Sequence, residues 1–397
     1  AGIMFRNVNG INVTITNNDI HDCDYRLNPY MSNSTISNLI LTNNIESDPL
    51  FVSTSDFHLQ STSPCINAGC LINIIPRNDY EGNAVYAGSA PDIGAYETNS
   101  NNVYYLSPTG SDQLGTGAEG NPWFTIERAW SELVAGDIVY MRGGTYYYNK
   151  TQNLRAVSGT SDNYTRLWNY PDERPIIRPA VGWVYDGWYY GIYFQNLSSI
   201  HVLGLDVCYF TYQQTSCCRG IMAQNVSNSI FENLACYRNE LGMMVTGNSG
   251  GNYIINCDFY ENYDPYSNPP YNNGDGLDVS TIPQGYNNTI NFCRAWYNAD
   301  DGFDFFNNEG IITMNGCWTW MNGYQEDHES FNQPPMIGND GNGFKLGQAQ
   351  NAVSTTRRYL YNCIAALNRV NNFSQNTLDP QILTCELYNC LSYGSIQ

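Results

Sequence analysis

The chain has 397 residues, with 37 Asp and Glu against 17 Lys and Arg, for a formal net charge of −20. That balance argues against a nucleic-acid partner, because nothing in it would neutralise phosphates by releasing their counterions, and it would repel a polyanionic sugar unless a cation came between them. No apolar run approaches the length of a membrane span, so none is expected. Only 14% of residues are charged, whereas Gly (35) and Tyr (32) are abundant, which suits strands and tight turns better than helices. Lysine occurs only at Lys150 and Lys345.

In chain order, residues 1–46 alternate polar and apolar residues in short runs, as at Ile11, Val13 and Ile15 and at Ile36, Leu39 and Leu41, between Asn-rich turns. They read as rungs of a solenoid. Pro and Gly then break the period around Pro49, Pro64, Gly69, Gly82, Pro91 and Gly94. This run resembles the closing segment of many secreted bacterial parallel β-helix proteins. A polar link, Thr98 to Asn102, follows. A second beginning starts at Val103, with a Gly-rich stretch from Gly115 to Pro122 and a predicted short helix from Thr125 to Leu133. Ile126, Ala129, Trp130 and Leu133 give that helix one apolar face, with which it would cap the open end of a solenoid.

From about Ile192 onward a single phrase recurs at solenoid intervals. It appears as Gly191-Ile192-Tyr193, Gly220-Ile221-Met222 and Gly242-Met243-Met244, and then with charges: Asp275-Gly276-Leu277-Asp278, Asp301-Gly302-Phe303-Asp304 and Asn342-Gly343-Phe344-Lys345. The residue after Gly-apolar therefore runs Tyr193, Met222, Met244, Asp278, Asp304, Lys345. A lone Asp-Gly pair is ordinarily a turn. Three in phase, ending on one of two lysines, point to a site grafted onto a repeating scaffold.

If Leu277, Phe303 and Phe344 face inward, then Asp278, Asp304 and Lys345 face outward in one stack, with Asp275, Asp301 and Asp300 beside them. Five carboxylates so close need a cation to screen them, and hard oxygen donors without His or Cys favour Ca²⁺. A uronate carboxylate held by that cation would have its C5 proton acidified. A lysine whose pKa is lowered by the cation would be the base of a β-elimination.

The motifs Gly274-Asp275-Gly276, Ala299-Asp300-Asp301-Gly302-Phe303-Asp304 and Asn342-Gly343-Phe344-Lys345 resemble the calcium and base motifs of the family nine polysaccharide lyases, which include pectate lyases. The resemblance covers roughly residues 103 to 350. It implies an all-β fold, a right-handed parallel β-helix with a short capping helix in its second part. It also implies Asp275, Asp300, Asp301 and Asp304 as Ca²⁺ ligands, Lys345 as catalytic base, an acidic polysaccharide as partner, and an extracellular or cell-surface location. Asp278 lies outside the family motif and is left as an outer group. Two departures stand out: an acidic insertion with Glu326, Asp327, His328 and Glu329 that would cover the groove, and the absence of rungs after the site, unless residues 1–46 of a neighbouring copy supply them.

The resulting division is residues 1–97 as the last rungs and closing segment of a β-helix, 98–102 as a linker, and 103–397 as the cap and rungs of a lyase-like β-helix continued by the next copy. An ending thus precedes a beginning. Leu391 to Gln397 would also run smoothly into Ala1 to Asn7, since Gly2-Ile3-Met4 repeats Gly220-Ile221-Met222. The alternative function is accordingly structural: a tandem-repeat or head-to-tail filament subunit derived from a lyase. Sequons at Asn12, Asn33, Asn149, Asn163, Asn196, Asn225, Asn287 and Asn372 permit glycosylation. Cys236, Cys257, Cys293, Cys317, Cys363 and Cys390 read as stacked core thiols before disulfides, whereas Cys65 with Cys70 and the vicinal Cys217-Cys218 suit local redox chemistry. Trp183, Trp188, Trp318 and Trp320 read as wall packing before sugar platforms.

Overall fold

Asparagine turns many of the corners that follow the first two sheets. Asn196 and Asn225 (φ 55° and 54°) follow strands of one sheet, and Asn233, Asn256, Asn362 and Asn389 (φ 53°, 51°, 55° and 55°) follow strands of the next. Each corner requires one residue in the left-handed region. Asn enters it at low cost because its short amide can bond the local backbone. The computed structural model describes residues 3–4, 9–21, 27–28, 35–70, 79–80, 90–98, 101–161, 163–183, 187–211, 217–267, 270–324, 338–347, 356–375 and 383–395. The chain divides into two units, Ala1–Asn102 with Ser161–Asn163, and Val103–Thr160 with Tyr164–Gln397.

In the first unit, Asn9–Thr16 and Thr35–Thr42 pair in parallel, and Asn38 Nδ2 donates to Asn12 Oδ1 (2.8 Å) across the pair. Phe51–Ser53 and Asp56–Leu59 form an antiparallel hairpin.

In the second unit, three parallel sheets of eight, ten and nine strands among the described residues coil into a right-handed parallel β-helix. The first sheet runs from Gln152–Leu154 through Trp188–Gln195, Cys217–Gln224, Leu241–Thr246, Leu277–Val279, Phe303–Asp304 and Phe344–Lys345 to Phe373–Ser374. Its inward column, Ile192, Ile221, Met243, Leu277, Phe303 and Phe344, is fully buried, each side chain stabilising the coil by roughly 1.5–3 kcal/mol relative to exposure. The rings of Phe303, Phe344 and Phe373 stack at 5.1 and 5.0 Å. The short helix is Ile126–Trp130, N-capped by the Thr125 side chain, which accepts from the Arg128 N–H; Ile126, Ala129, Trp130 and the following Leu133 are buried.

The glycine of the repeating phrase is set by crowding. A Cβ at Gly242 would lie 2.4 Å from the Gly276 carbonyl oxygen, one at Gly276 2.5 Å from that of Gly302, and one at Gly302 2.8 Å from that of Gly343. The turn reading of Asp-Gly is thus replaced by a column of close backbone approaches. Beside it runs a buried amide ladder, in which Asn262, Asn298, Asn322 and Asn368 each donate from Nδ2 to the Oδ1 of Asn298, Asn322, Asn368 and Asn372 in turn (2.8, 2.9, 2.8 and 2.9 Å). Asn372 is therefore consumed by the core, which withdraws its sequon from the candidates for glycosylation.

Three further expectations change. Cys236 leaves the thiol column, because it pairs with Phe259 while Leu234 N–H donates to Cys257 Sγ (3.4 Å); the column is Cys257, Cys293, Cys317, Cys363 and Cys390. The redox reading fails as well. Cys65 is buried, its thiol pushed up to about 12 by burial and by Asp19, and Cys218 faces the core while Cys217 does not. Rungs do follow the site: Arg357–Tyr361, Ile364–Ala366, Phe373–Ser374, Thr384–Tyr388 and Leu391–Tyr393 continue all three sheets. Trp320 is wall packing, stacked with Tyr237, Tyr260 and Trp296 at 4.5–4.8 Å on the third sheet. The insertion with Glu326, Asp327, His328 and Glu329 lies outside the described residues.

Candidate metal and base site

The outward column of the first sheet holds register through every rung. Tyr193, Met222, Met244, Asp278, Asp304, Lys345 and Ser374 are successive partners, so the charged phrases lie on consecutive turns about 4.8 Å apart. Asp275, Asp301 and Asn342 occupy the equivalent position before each glycine. One carboxylate oxygen from each of Asp275, Asp301 and Asp304 lies within 4.8 Å of the others. Asp300, buried at the corner before Asp301, is outside that threesome, and Asp278 is in the column but not in the cluster.

Hydrogen bonds fix one oxygen of two of these carboxylates. Asp275 Oδ1 accepts the Asp301 N–H (3.0 Å), and Asp301 Oδ1 accepts both the backbone N–H (2.7 Å) and the side-chain Nδ2 (2.8 Å) of Asn342. Asn342 Oδ1 in turn accepts from Asn371 Nδ2 (2.8 Å). Asp301 is thereby oriented by a residue to which sequence reasoning gave no role, although its signal was present: Asn342 stands where the earlier phrases have aspartate. Lys345, 9% exposed, places Nζ 2.8 Å from Asp301 Oδ2 and 3.0 Å from Asp304 Oδ2.

One ammonium faces four carboxylates, and the titration behaviour follows. Burial and then the neighbouring carboxylates raise Asp275 and Asp300 well above the usual range. Burial pushes Asp304 up to about 8 against the pull of Lys345, and Asp278 to about 6 against Ser280 and Arg219. Burial also disfavours the Lys345 ammonium, but Asp301, Asp304, Asp275 and Asp300 outweigh it and raise its pKa. The expected lowering belongs to the site with its cation bound; the protein's own groups act in the opposite direction, because the immediate neighbours of the lysine are anions.

The residues fit a calcium ion. All donors are oxygens, the 4.8 Å spread is within the about 5 Å that two oxygens on one Ca²⁺ can span, and Asp300 Oδ1 and Asp304 Oδ1 are buried without hydrogen-bond partners. Buried carboxylate oxygens left unpaired are costly unless a cation or proton satisfies them.

A family model described as the Pel9A-like right-handed β-helix region matches residues 104–396. Pectate lyase L of Dickeya chrysanthemi is 29% identical over 293 residues, covering 69% of this chain and 61% of that protein; the chain thus spans about three fifths of that relative's length. The crystal structure of pectate lyase Pel9A superposes with a TM-score of 0.56 at 23% identity, over 74% of this chain and 77% of its own. A rhamnogalacturonan lyase structure gives 0.58 at 25% identity, over 72% and 73%.

Proposed function

Because the chain belongs to the Pel9A-like right-handed β-helix family, we propose that residues 103–397 act as a Ca²⁺-dependent polysaccharide lyase, cleaving a pectate-like uronate polymer by β-elimination. In this reading Asp275, Asp300, Asp301 and Asp304 hold the cation and Lys345 is the base. The observation that carries it is the in-register run from Asp278 through Asp304 to Lys345 beside the clustered oxygens of Asp275, Asp301 and Asp304.

Calcium at this site would supply positive charge to a uronate carboxylate and so acidify the neighbouring C5 proton. The protein's own groups do the rest. Asp301 and Asp304 hold Lys345 Nζ at the edge of the cluster, Asn342 fixes Asp301, and the buried floor keeps water from the base. Lys345 must first lose its proton before Nζ can accept another. Nζ then takes the C5 proton, the C5–H electron pair forms the C4–C5 double bond, and the bond from C4 to the glycosidic oxygen breaks; that oxygen leaves with the bonding pair and takes a proton from solvent, with no water attacking carbon. Residues 1–97 are read as closing rungs, 98–102 as a linker, and the location as outside the cell, where such polymers occur.

The test is ultraviolet absorbance of the unsaturated product on a panel of uronate polysaccharides, with and without a calcium chelator. Chelator-sensitive absorbance is expected on at least one; its absence on all would overturn the reading. A second reading, a structural repeat continued by further copies, draws on a different observation. In the first unit Asn9–Thr16 and Thr35–Thr42 pair in parallel, as successive rungs of a coil do, so strands of this kind occur outside the lyase-like unit as well. Filaments in electron micrographs, without product, would favour it.

A further inference from the structure

On the same outward face, towards the N-terminal end of the first sheet, lies a guanidinium that the proposed elimination leaves unused. Arg219 occupies the position before Gly220 that Asp275 and Asp301 occupy before Gly276 and Gly302. It is 6% exposed, yet its Nη1 has no hydrogen-bond partner; the nearest carboxylate, Glu240 Oε1, is 3.9 Å away. Glu240 is already engaged, accepting the backbone N–H of Cys218 and the thiol of Cys217 (3.3 Å). Arg219 Nε lies 3.4 Å from Met244 Sδ, and Met244 is the register partner of Asp278. Arg219 therefore stands two rungs before Asp278, with its guanidinium against Met244 of the intervening rung. Over it lies Trp188, 62% exposed, with the Arg219 carbon 4.9 Å from the ring centre.

A buried cation without a hydrogen-bonded counter-ion is expensive, and a planar fork beneath an exposed indole matches a carboxylate on a sugar ring. We propose that Arg219 is a specificity-determining residue that binds the carboxylate of a uronate unit lying one to two rungs from the metal cluster, with Trp188 as the face on which its pyranose ring packs. This rests on the uronate reading above. It adds that the polymer runs along the first sheet towards its N-terminal end and that this subsite demands an unesterified acid.

The experiment is isothermal calorimetry in calcium on a Lys345→Ala background, so that sugars remain intact. Acidic uronate oligomers are compared with their fully methyl-esterified counterparts. Arg219→Met is expected to weaken the acidic oligomer at least tenfold and leave the ester unchanged, with Arg219→Lys intermediate because an ammonium cannot make the paired contact. Trp188→Ala, a surface change that spares the core, should weaken both ligands severalfold. Equal affinity of Arg219→Met and its parent for the acidic oligomer, in a variant whose melting temperature is preserved, would overturn the subsite, as would failure of the parent to bind either ligand. If Arg219→Met melts early, Trp188→Ala decides: unchanged binding overturns the proposal. Normal turnover with unaltered Arg219→Met binding would sink the subsite alone. Selective loss of the acidic ligand in a protein that cleaves nothing would sink the elimination alone.

Discussion

The two halves of the first sheet share a backbone and differ in what they present. Tyr193, Met222 and Met244 precede Asp278, Asp304 and Lys345 in one register, over the same buried inward column and the same stack of glycines. The coil needs only the inward residue and the glycine, so the outward residue is free to change. The N-terminal half fills it with uncharged Tyr and Met; the C-terminal half uses it to bury carboxylates that the fold alone does not repay.

Four perturbations separate the halves, in order of expected effect. Lys345→Ala should reduce product formation about 10²- to 10⁴-fold in the absorbance assay while leaving the melting temperature within a few degrees; unchanged turnover would remove Lys345 as base. Asn342→Ala, which frees Asp301 Oδ1 from its side-chain donor, should lower calcium affinity or activity about 10- to 100-fold, read by calorimetric titration of the ion. Gly302→Ala tests the shared scaffold. Its new methyl would meet Thr319 Oγ1 at 2.4 Å and the Gly343 carbonyl at 2.8 Å, costing about 1–3 kcal/mol in chemical denaturation, with no dependence on calcium.

The smallest effect is one of pH. Asp304 has a folded pKa of about 8 against an ordinary 3.8, so the folded state binds its proton more tightly than the unfolded state does. Its stabilising contribution is complete below about pH 4 and is lost as pH rises through 8. In chelator, the melting temperature should fall across that window; calcium should restore it at pH 8, and Asp304→Asn should flatten the profile. A profile in Asp304→Asn as steep as that of the parent would assign the dependence to other groups.

Much of this was legible in the sequence because a solenoid writes its register into its repeats. The outward column from Tyr193 to Lys345 could be read from the Gly-apolar phrase, and the corner residues from the abundance of Asn. What escaped depends on contacts across rungs of unequal length. Cys236 falls one column away from Cys257 although both sit in similar phrases, since only pairing to Phe259 distinguishes them. The raised pKa of Lys345 needed the distances to Asp301 and Asp304. The amide ladder from Asn262 to Asn372 was hidden among many other asparagines, and only burial sets it apart.

The thiol column has a use of its own. Cys257, Cys293, Cys317 and Cys363 are buried on successive rungs, and Cys390, towards the C-terminal edge, is half-buried. Solenoids open by neighbouring units, so the order in which an alkylating reagent marks these five sulfurs reports the direction in which the coil unzips. Labelling that begins at Cys390 and advances to Cys257 means that the molecule frays from its C-terminal edge, and mass spectrometry would read that progress as a ruler graduated in rungs.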